Sequence, residues 1–117
     1  MRGRVIIAGG RDYPNYFNIR HLEELEVLRN NIPILMVVSG GCAGVDKNAI
    51  QWALQNNIPF EEYLADWNKY GKIAGYIRNE EMAKNSDGVI LFPGGKGTKL
   101  MEKISLRKKL PIWYIKL

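Results

Sequence analysis

Three short apolar runs in this chain each end at glycines and lead into a helical pattern, and this strand–turn–helix order constrains the fold most. The runs are Arg4–Ala8, Ile34–Ser39 and Val89–Phe92. The second is apolar along its length, which is typical of a parallel strand with both faces buried. With two weaker runs at 60–64 and 111–115, five strands alternate with four helical segments. The alternation predicts an α/β fold in one domain over 1–117, a doubly wound parallel sheet with helices on both faces.

Apolar residues recur at helical spacing in the four segments between the strands. The pattern places Leu54 in the buried stripe of the second helix and Ile73 in that of the third. The third helix is expected to follow a polar-aromatic loop over Ala65–Gly71. Thr98 is expected to be the N-cap of the fourth helix, because its hydroxyl can accept a hydrogen bond from a backbone N–H group.

The glycine-rich turn after the Val89–Phe92 run has the composition of an anion site. Pro93 ends the strand, and Gly94–Thr98 follows. Glycines remove Cβ atoms there, so backbone amides can face outward. Free N–H groups and the positive end of the next helix dipole favour an anion such as phosphate. We therefore predict that Gly94–Thr98 holds the phosphate of a nucleotide-like ligand, with Lys96 as an added charge.

Two further glycine loops follow the first and second strands. In a parallel sheet the carboxyl ends of the strands lie at one edge, and ligands bind there where the strand order reverses. For the expected order 3-2-1-4-5, that point lies between strands one and four, so the three loops meet in one crevice. The predicted ligand-binding residues of these loops are Gly9, Gly10, Arg11, Asp12, Gly40, Gly41, Asp46, Pro93, Gly94, Gly95, Lys96, Gly97 and Thr98.

Two common phosphate-binding motifs are absent from the sequence. A P-loop places Lys directly before Ser or Thr, whereas Lys96 is followed by Gly97. The G-x-G-x-x-G spacing of dinucleotide-binding folds is missing after the first strand, where Arg11 follows Gly9 and Gly10. The loops therefore predict nucleotide binding without the motif of an NTPase.

Composition and charge narrow the class of protein. The net charge is +5, and 88–117 alone carries +6, from seven basic residues and one acid. This balance suits a polyanionic or phosphorylated partner, and equally a solvated helix face. The single Cys42 excludes a disulfide framework and a Cys-rich metal site, so we expect no metal and no cofactor. No apolar run approaches the roughly 20 residues of a membrane span, and no signal peptide is present, which predicts a cytoplasmic protein without a membrane partner.

A series of motifs runs through the chain in a fixed order: Gly9-Gly10-Arg11-Asp12-Tyr13, Ser39–Asp46, Ala65-Asp66-Trp67, Lys69-Tyr70-Gly71, Ala74-Gly75, Ile77-Arg78-Asn79, Met82 and Phe92–Thr98. In this order the motifs resemble the SLOG superfamily, most closely its small YspA-like branch of predicted nucleotide-binding proteins. The resemblance covers nearly the whole chain. It implies a Rossmann-like fold with a phosphate at the glycine loop, and it adds Arg78 to the ligand-binding residues.

The same superfamily includes LOG-type phosphoribohydrolases, which release a base from a nucleoside monophosphate, and sensor domains for ADP-ribose-like ligands. The hydrolase pattern is Pro-Gly-Gly-x-Gly-Thr-x-x-Glu, and its Glu position falls on Met101, one residue before Glu102. One residue turns a helical side chain by about 100°, so Glu102 is not expected to replace the missing carboxylate. The superfamily also includes the DNA-processing protein DprA, whose second-loop pattern is matched only in part, because Cys42 replaces an Ala.

Three side chains have two interpretations each. Asp46 either caps its helix or contacts a ribose hydroxyl. Trp67 either packs against the protein or stacks on a base. Cys42 lies near a helix start, where a thiol can be acidified, but no partner base is evident in the sequence.

We therefore expect a sensor or binding module for a nucleoside monophosphate or an ADP-ribose-like ligand. The alternative is a phosphoribohydrolase-like enzyme that cleaves an N-glycosidic bond, with Arg78 and Glu81 as candidate catalytic residues. A weaker alternative is nucleic-acid binding through Lys99, Lys103 and Arg107, which recur every four residues. Hydrolases of this resemblance are commonly dimers, so a homodimer is left open.

Overall fold

Five parallel strands and their connecting helices make up the part of the chain that the structure describes. The computed structural model describes residues 3–11 and 19–115, with the backbone alone for residues 19–23. The strands are β1 (Arg4–Ala8), β2 (Met36–Ser39), β3 (Phe60–Glu62), β4 (Gly88–Leu91) and β5 (Ile112–Tyr114). The helices are α1 (Ile19–Asn31), α2 (Val45–Gln55), α3 (Trp67–Tyr70), α4 (Ala74–Lys84) and α5 (Lys96–Arg107). A 3₁₀ turn, Gly71–Ile73, joins α3 to α4.

The strand order is β3-β2-β1-β4-β5. Every neighbouring pair is parallel, and in the centre Val5 of β1 pairs with Val37 of β2 and Gly88 of β4. The predicted order 3-2-1-4-5 and the Rossmann-like α/β class are thereby confirmed. The order reverses between β1 and β4, so the loops that follow these two strands diverge and leave a crevice between them.

Side chains of β1 alternate between two buried layers, because successive residues of a strand face opposite sides of the sheet. One layer packs under α1 and α2 and includes Val5, Ile7, Leu25, Ala49 and Trp52. The other packs under α4 and α5 and includes Ile6, Ala8, Met82 and Met101. Helices therefore cover both faces, and the apolar strands are explained by burial on each side.

Two predictions about buried helix positions are wrong. Leu54 is 60% exposed, because Trp52 and Ala53 hold the inward positions of α2. Ile73 is 58% exposed. It lies in the 3₁₀ turn before α4, where the helical spacing that pointed it inward is not maintained.

Two predicted helix boundaries also differ from the structure. Residues expected to form a loop before the third helix contain α3, whose start is capped by Asp66: its Oδ1 accepts from Lys69 N at 3.0 Å. Helix α5 begins at Lys96 with Gly95 as N-cap, so Thr98 lies inside the first turn and is not the cap.

Within the described residues, no helix combines the length and apolar character needed to cross a membrane. The single domain over 1–117 stays a prediction.

Candidate functional site

A cavity of about 620 Å³ lies at the carboxyl ends of β1, β2 and β4. Its volume falls within the roughly 300–1,000 Å³ range of small-molecule sites. It lies at the point where the strand order reverses, as the sequence predicted. The described residues that line it are Ala8, Gly9, Gly10, Arg11, Gly40, Cys42, Asp46, Arg78, Asn79, Met82, Pro93, Gly94, Gly95, Lys96, Gly97, Thr98 and Met101.

Gly10 joins the three loops that form the cavity. Its N–H group donates to Pro93 O at 3.0 Å, and its carbonyl oxygen accepts from Val45 N at 3.2 Å. The loop after β2 comes close to Gly10 because Gly44 has a φ of +80° and lacks a Cβ atom, which would lie 2.2 Å from Gly10 O. Only glycine allows both this backbone conformation and this approach. The loops after β1, β2 and β4 are thus held together by backbone hydrogen bonds.

Helix α5 points an uncapped N-terminus at the cavity. Its N-cap is Gly95, and no side chain caps the first turn. A Cβ atom at Gly95 or Gly97 would meet nothing within 4 Å, whereas one at Gly94 would lie 2.2 Å from Thr98 Oγ1. Packing therefore accounts for Gly94 but not for Gly95 or Gly97. The start of α5 combines free amides, the positive end of a helix dipole and open space, which together suit an anion.

Arg78 reaches the cavity from α4 and is held in a fixed orientation. Its Nη1 donates to Gly40 O at 2.8 Å, and its Nε donates to Asn79 Oδ1 at 2.9 Å. Asn79 is buried and its Nδ2 extends to Gly97 O at 3.5 Å. The pair Arg78–Asn79 therefore links the loop after β2 to the first turn of α5.

Asp46 is a carboxylate in the wall of the cavity and is only 8% exposed. Its Oδ2 accepts from Cys42 N at 3.2 Å, so the side chain holds the preceding loop and does not cap α2. Burial raises the pKa of Asp46 to about 6, although the Cys42 N–H group and the charges of Arg78 and Arg11 lower it. Asp46 therefore titrates near neutral pH.

The remaining charges around the cavity are positive. Arg11 and Lys96 are exposed, and Arg11 Nη2 lies 3.9 Å from Cys42 Sγ. Arg78 Nη1 approaches the same sulfur at 3.8 Å. With Arg78, these side chains supply three cations against the single carboxyl group of Asp46 among the described lining residues. The site therefore attracts anions.

Other predicted residues lie away from the cavity or outside the described residues. Glu81 is exposed on α4 and is not among the lining residues. Gly41 is also not among the lining residues, and its N–H group donates to Ser39 Oγ at 3.1 Å. Asp12 lies outside the described residues. Glu102 accepts a 2.6 Å hydrogen bond from Tyr114 Oη, which raises the pKa of Tyr114.

Five lining residues were not among the predicted binding residues: Ala8, Cys42, Asn79, Met82 and Met101. Asn79 and Met82 follow Arg78 by one and four residues, and the four-residue spacing on a helix was the available signal for Met82. Met101 occupies the position of the hydrolase Glu, and the structure places its side chain in the cavity wall, 2% exposed.

In the described parts of the chain, no group of three His, Cys, Asp or Glu side chains converges on a metal site.

Two comparisons with known proteins agree with this architecture. The model of the YspA, cpYpsA-related SLOG family matches residues 3–70. The matched range includes β1, β2 and the glycine loops that follow them. The Gene 61 protein of Mycobacterium phage D29 is 32% identical to this chain over 117 residues, and the similarity covers 93% of each protein.

Proposed function

This chain belongs to the YspA, cpYpsA-related SLOG family, and from that premise we propose that it is a binding module or sensor for a nucleotide. Membership of the family implies a nucleotide-related binding or modifying role. The proposed ligand is a nucleoside monophosphate or an ADP-ribose-like compound. Its phosphate lies on Gly94–Thr98, with the guanidinium groups of Arg11 and Arg78 beside it.

The observation that carries this proposal is the open space at Gly95 and Gly97. Gly97 lies in the first turn of α5, where Ala would be favoured by about 1 kcal/mol. Packing accounts for neither glycine, and the helical backbone of Gly97 does not require one. Close approach of a phosphate to the backbone amides accounts for both.

The cations around the cavity support the same ligand class. Arg78 is positioned by Gly40 O and Asn79 Oδ1, so its guanidinium group does not have to be ordered when a phosphate binds. Arginine offers a planar fork that matches phosphate oxygens. In contrast, Arg107 and Lys108 at the end of α5 form ion pairs with Glu80, so this carboxylate offsets part of their charge.

Alanine substitutions in the first turn of α5 test the proposal. Gly97→Ala is expected to leave the fold intact and raise the free energy of unfolding by up to about 1 kcal/mol. It is expected to weaken the binding of AMP or ADP-ribose about ten-fold or more, because a methyl group enters the space of the phosphate. Isothermal titration calorimetry measures the affinity, and urea unfolding measures the stability.

Leu106→Ala is the matched control, because this exposed side chain lies in the last turn of the same helix, away from the cavity. It is expected to bind as the wild type does. Failure of the folded wild type to bind either ligand at millimolar concentration contradicts the proposal. Equal affinities for wild type and Gly97→Ala contradict the placement of the phosphate.

A second candidate function, cleavage of the N-glycosidic bond of a nucleotide, is favoured by one observation. Asp46 is a carboxyl group in the cavity with a pKa of about 6, which suits a general acid or base near neutral pH. Met101 occupies the hydrolase Glu position, and Glu81 and Glu102 lie outside the cavity, which favours binding without cleavage. Incubation with AMP followed by chromatography separates the two functions, since release of adenine that Asp46→Asn abolishes supports an enzyme.

A further inference from the structure

We propose that Trp67 forms a stacking platform at the mouth of the cavity for the planar ring of the ligand. This inference rests on the proposed function and narrows it, since the ligand then carries a nucleobase and is not a simple sugar phosphate. The argument starts from the position of Trp67 relative to α4 and the cavity.

Trp67 is held at the carboxyl edge of the sheet. The chain leaves β3 at that edge and enters α3 after the four residues 63–66, with Asp66 as the cap that fixes its first turn. Helix α4 begins at the same edge, because β4 runs parallel to the other strands and must start at the opposite one. The first turn of α4 and the indole of Trp67 are therefore on the side of the sheet where the cavity opens.

The indole contacts the stripe of α4 whose next turn lines the cavity, although neither Trp67 nor Gly75 is itself a lining residue. Its Cη2 atom is 3.5 Å from the Cβ position of Gly75, so a glycine lets the ring lie close to the helix. Gly75, Arg78, Asn79 and Met82 share one face of α4, at intervals of three and four residues. The last three line the cavity. At a rise of about 1.5 Å per residue, Trp67 contacts the helix roughly 4.5 Å outward from Arg78.

The ring surface that remains is available to a ligand. Trp67 is 53% exposed although one edge contacts the helix. In the proposed pose, the phosphate is beside Arg78 and α5 and the sugar extends outward along α4, which brings the base to the ring of Trp67. Stacking of a base on an aromatic ring is tolerant of base identity and typically strengthens binding by about ten-fold or more.

The test compares AMP with ribose 5-phosphate, two ligands that differ only by the base. Wild type is expected to bind AMP more tightly than ribose 5-phosphate by about ten-fold. Trp67→Ala is expected to lose most of that difference while its affinity for ribose 5-phosphate stays unchanged. Trp67→Phe is expected to retain it, because a phenyl ring still stacks. Leu106→Ala, a comparably exposed apolar side chain at the other edge, is expected to behave as wild type.

Tryptophan fluorescence gives an independent readout. The chain has three tryptophans, and AMP is expected to quench the emission of wild type but not of Trp67→Phe. Equal affinities of wild type and Trp67→Ala for AMP overturn the inference, while the proposed function survives. If Trp67→Ala changes the oligomeric mass but leaves the ratio of the affinities for AMP and ribose 5-phosphate unchanged, the inference is overturned. Trp67 would then belong to an interface between copies of the chain. Absence of binding by both ligands overturns the proposed function together with it.

Discussion

At the scale of single residues, the site places the buried carboxyl group of Asp46 near arginines with which it forms no salt bridge. Asp46 accepts a hydrogen bond from Cys42 N, and Arg78 donates to Gly40 O and Asn79. The two charged groups face the same cavity and are both anchored to protein atoms. In the proposed complex, a phosphate would therefore meet arginines that no carboxylate of the described residues contacts directly.

The pH dependence of stability follows from Asp46. Burial raises its pKa from 3.8 to about 6, so the folded state holds the proton more tightly than the unfolded state does. The stabilising contribution is complete below the unfolded pKa and is lost as pH rises through about 6. From about pH 4 to pH 8 the Asp46 contribution to the free energy of unfolding is expected to fall by roughly 2 kcal/mol.

Urea unfolding of wild type and Asp46→Asn across that pH range measures this contribution. Asparagine keeps an acceptor oxygen for Cys42 N but does not titrate, so the variant is expected to gain stability relative to wild type as pH rises. The hydrogen bond from Arg4 lowers the pKa of Glu61, so the contribution of Glu61 to stability changes with pH in the opposite direction. Both proteins contain Glu61, so this contribution cancels in the difference between them. A stability difference that is independent of pH contradicts the titration of Asp46.

At the scale of elements, α4 is the member that connects the two halves of the site. Consecutive residues of one turn contact the loop after β2, through Arg78, and the first turn of α5, through Asn79. The helix is itself packed against the sheet through Met82, which clusters with Ile6 and Val89. The relative position of the two loops is therefore set by one buried helix face.

Asn79→Ala is expected to weaken nucleotide binding about ten-fold without abolishing it, because Arg78 loses the partner of its Nε and one of its two orienting contacts. The affinity for inorganic phosphate is expected to fall as well, because Asn79 acts through Arg78, the arginine proposed to contact the phosphate. Calorimetric titration with phosphate and AMP checks both. A loss for AMP alone contradicts a positioning role for Asn79.

Sequence patterns predicted the elements well where burial alone decides them. The runs at β1, β2 and β4 are rich in apolar residues because both faces of these strands are covered, so their pattern predicted strands. The segment over 65–73 was mispredicted, because α3 and its 3₁₀ turn depend on the Asp66 cap and not on an apolar stripe. One capping residue followed by polar and aromatic residues is compatible with a loop as well as with a helix, so the pattern did not predict α3.

At the scale of the whole molecule, stability is expected to decrease from the centre of the sheet to its edges. The central strand β1 pairs on both sides, and Val5, Ile6 and Ile7 are fully buried. The edge strands β3 and β5 have three residues each, and Phe60 is exposed. The same centre contains the loops of the site, so ligand binding and folding depend on the same strands.

Hydrogen exchange measures this gradient. Amides of β1 are expected to exchange only through global unfolding, whereas those of β3 and β5 exchange through local opening with a lower free energy. The exchange of Gly10 N, which donates to Pro93 O, is expected to follow β1. Edge-strand amides as slow as those of β1, measured by mass spectrometry or NMR, contradict the gradient.

The whole site was predictable only in outline. Parallel strands bring their loops to one edge, and this placed most of the predicted glycines and Arg11 around the cavity. The buried titration of Asp46 and the tether made by Asn79 were not predictable, because each depends on contacts between loops that are far apart in the chain. Sequence spacing describes neighbours within an element and gives no distance between elements.

The backbone bonds of Gly10 have a consequence for how such a protein works. Because Gly10 fastens the loops after β1, β2 and β4 to one another, the receptor is assembled before a ligand arrives. A pre-organised receptor loses little conformational entropy on binding. In the part of the chain that the structure describes, these bonds also leave no hinged flap that could move when a ligand binds. A partner that responds to the ligand would therefore recognise the altered charge and the newly covered rim, not a change in shape.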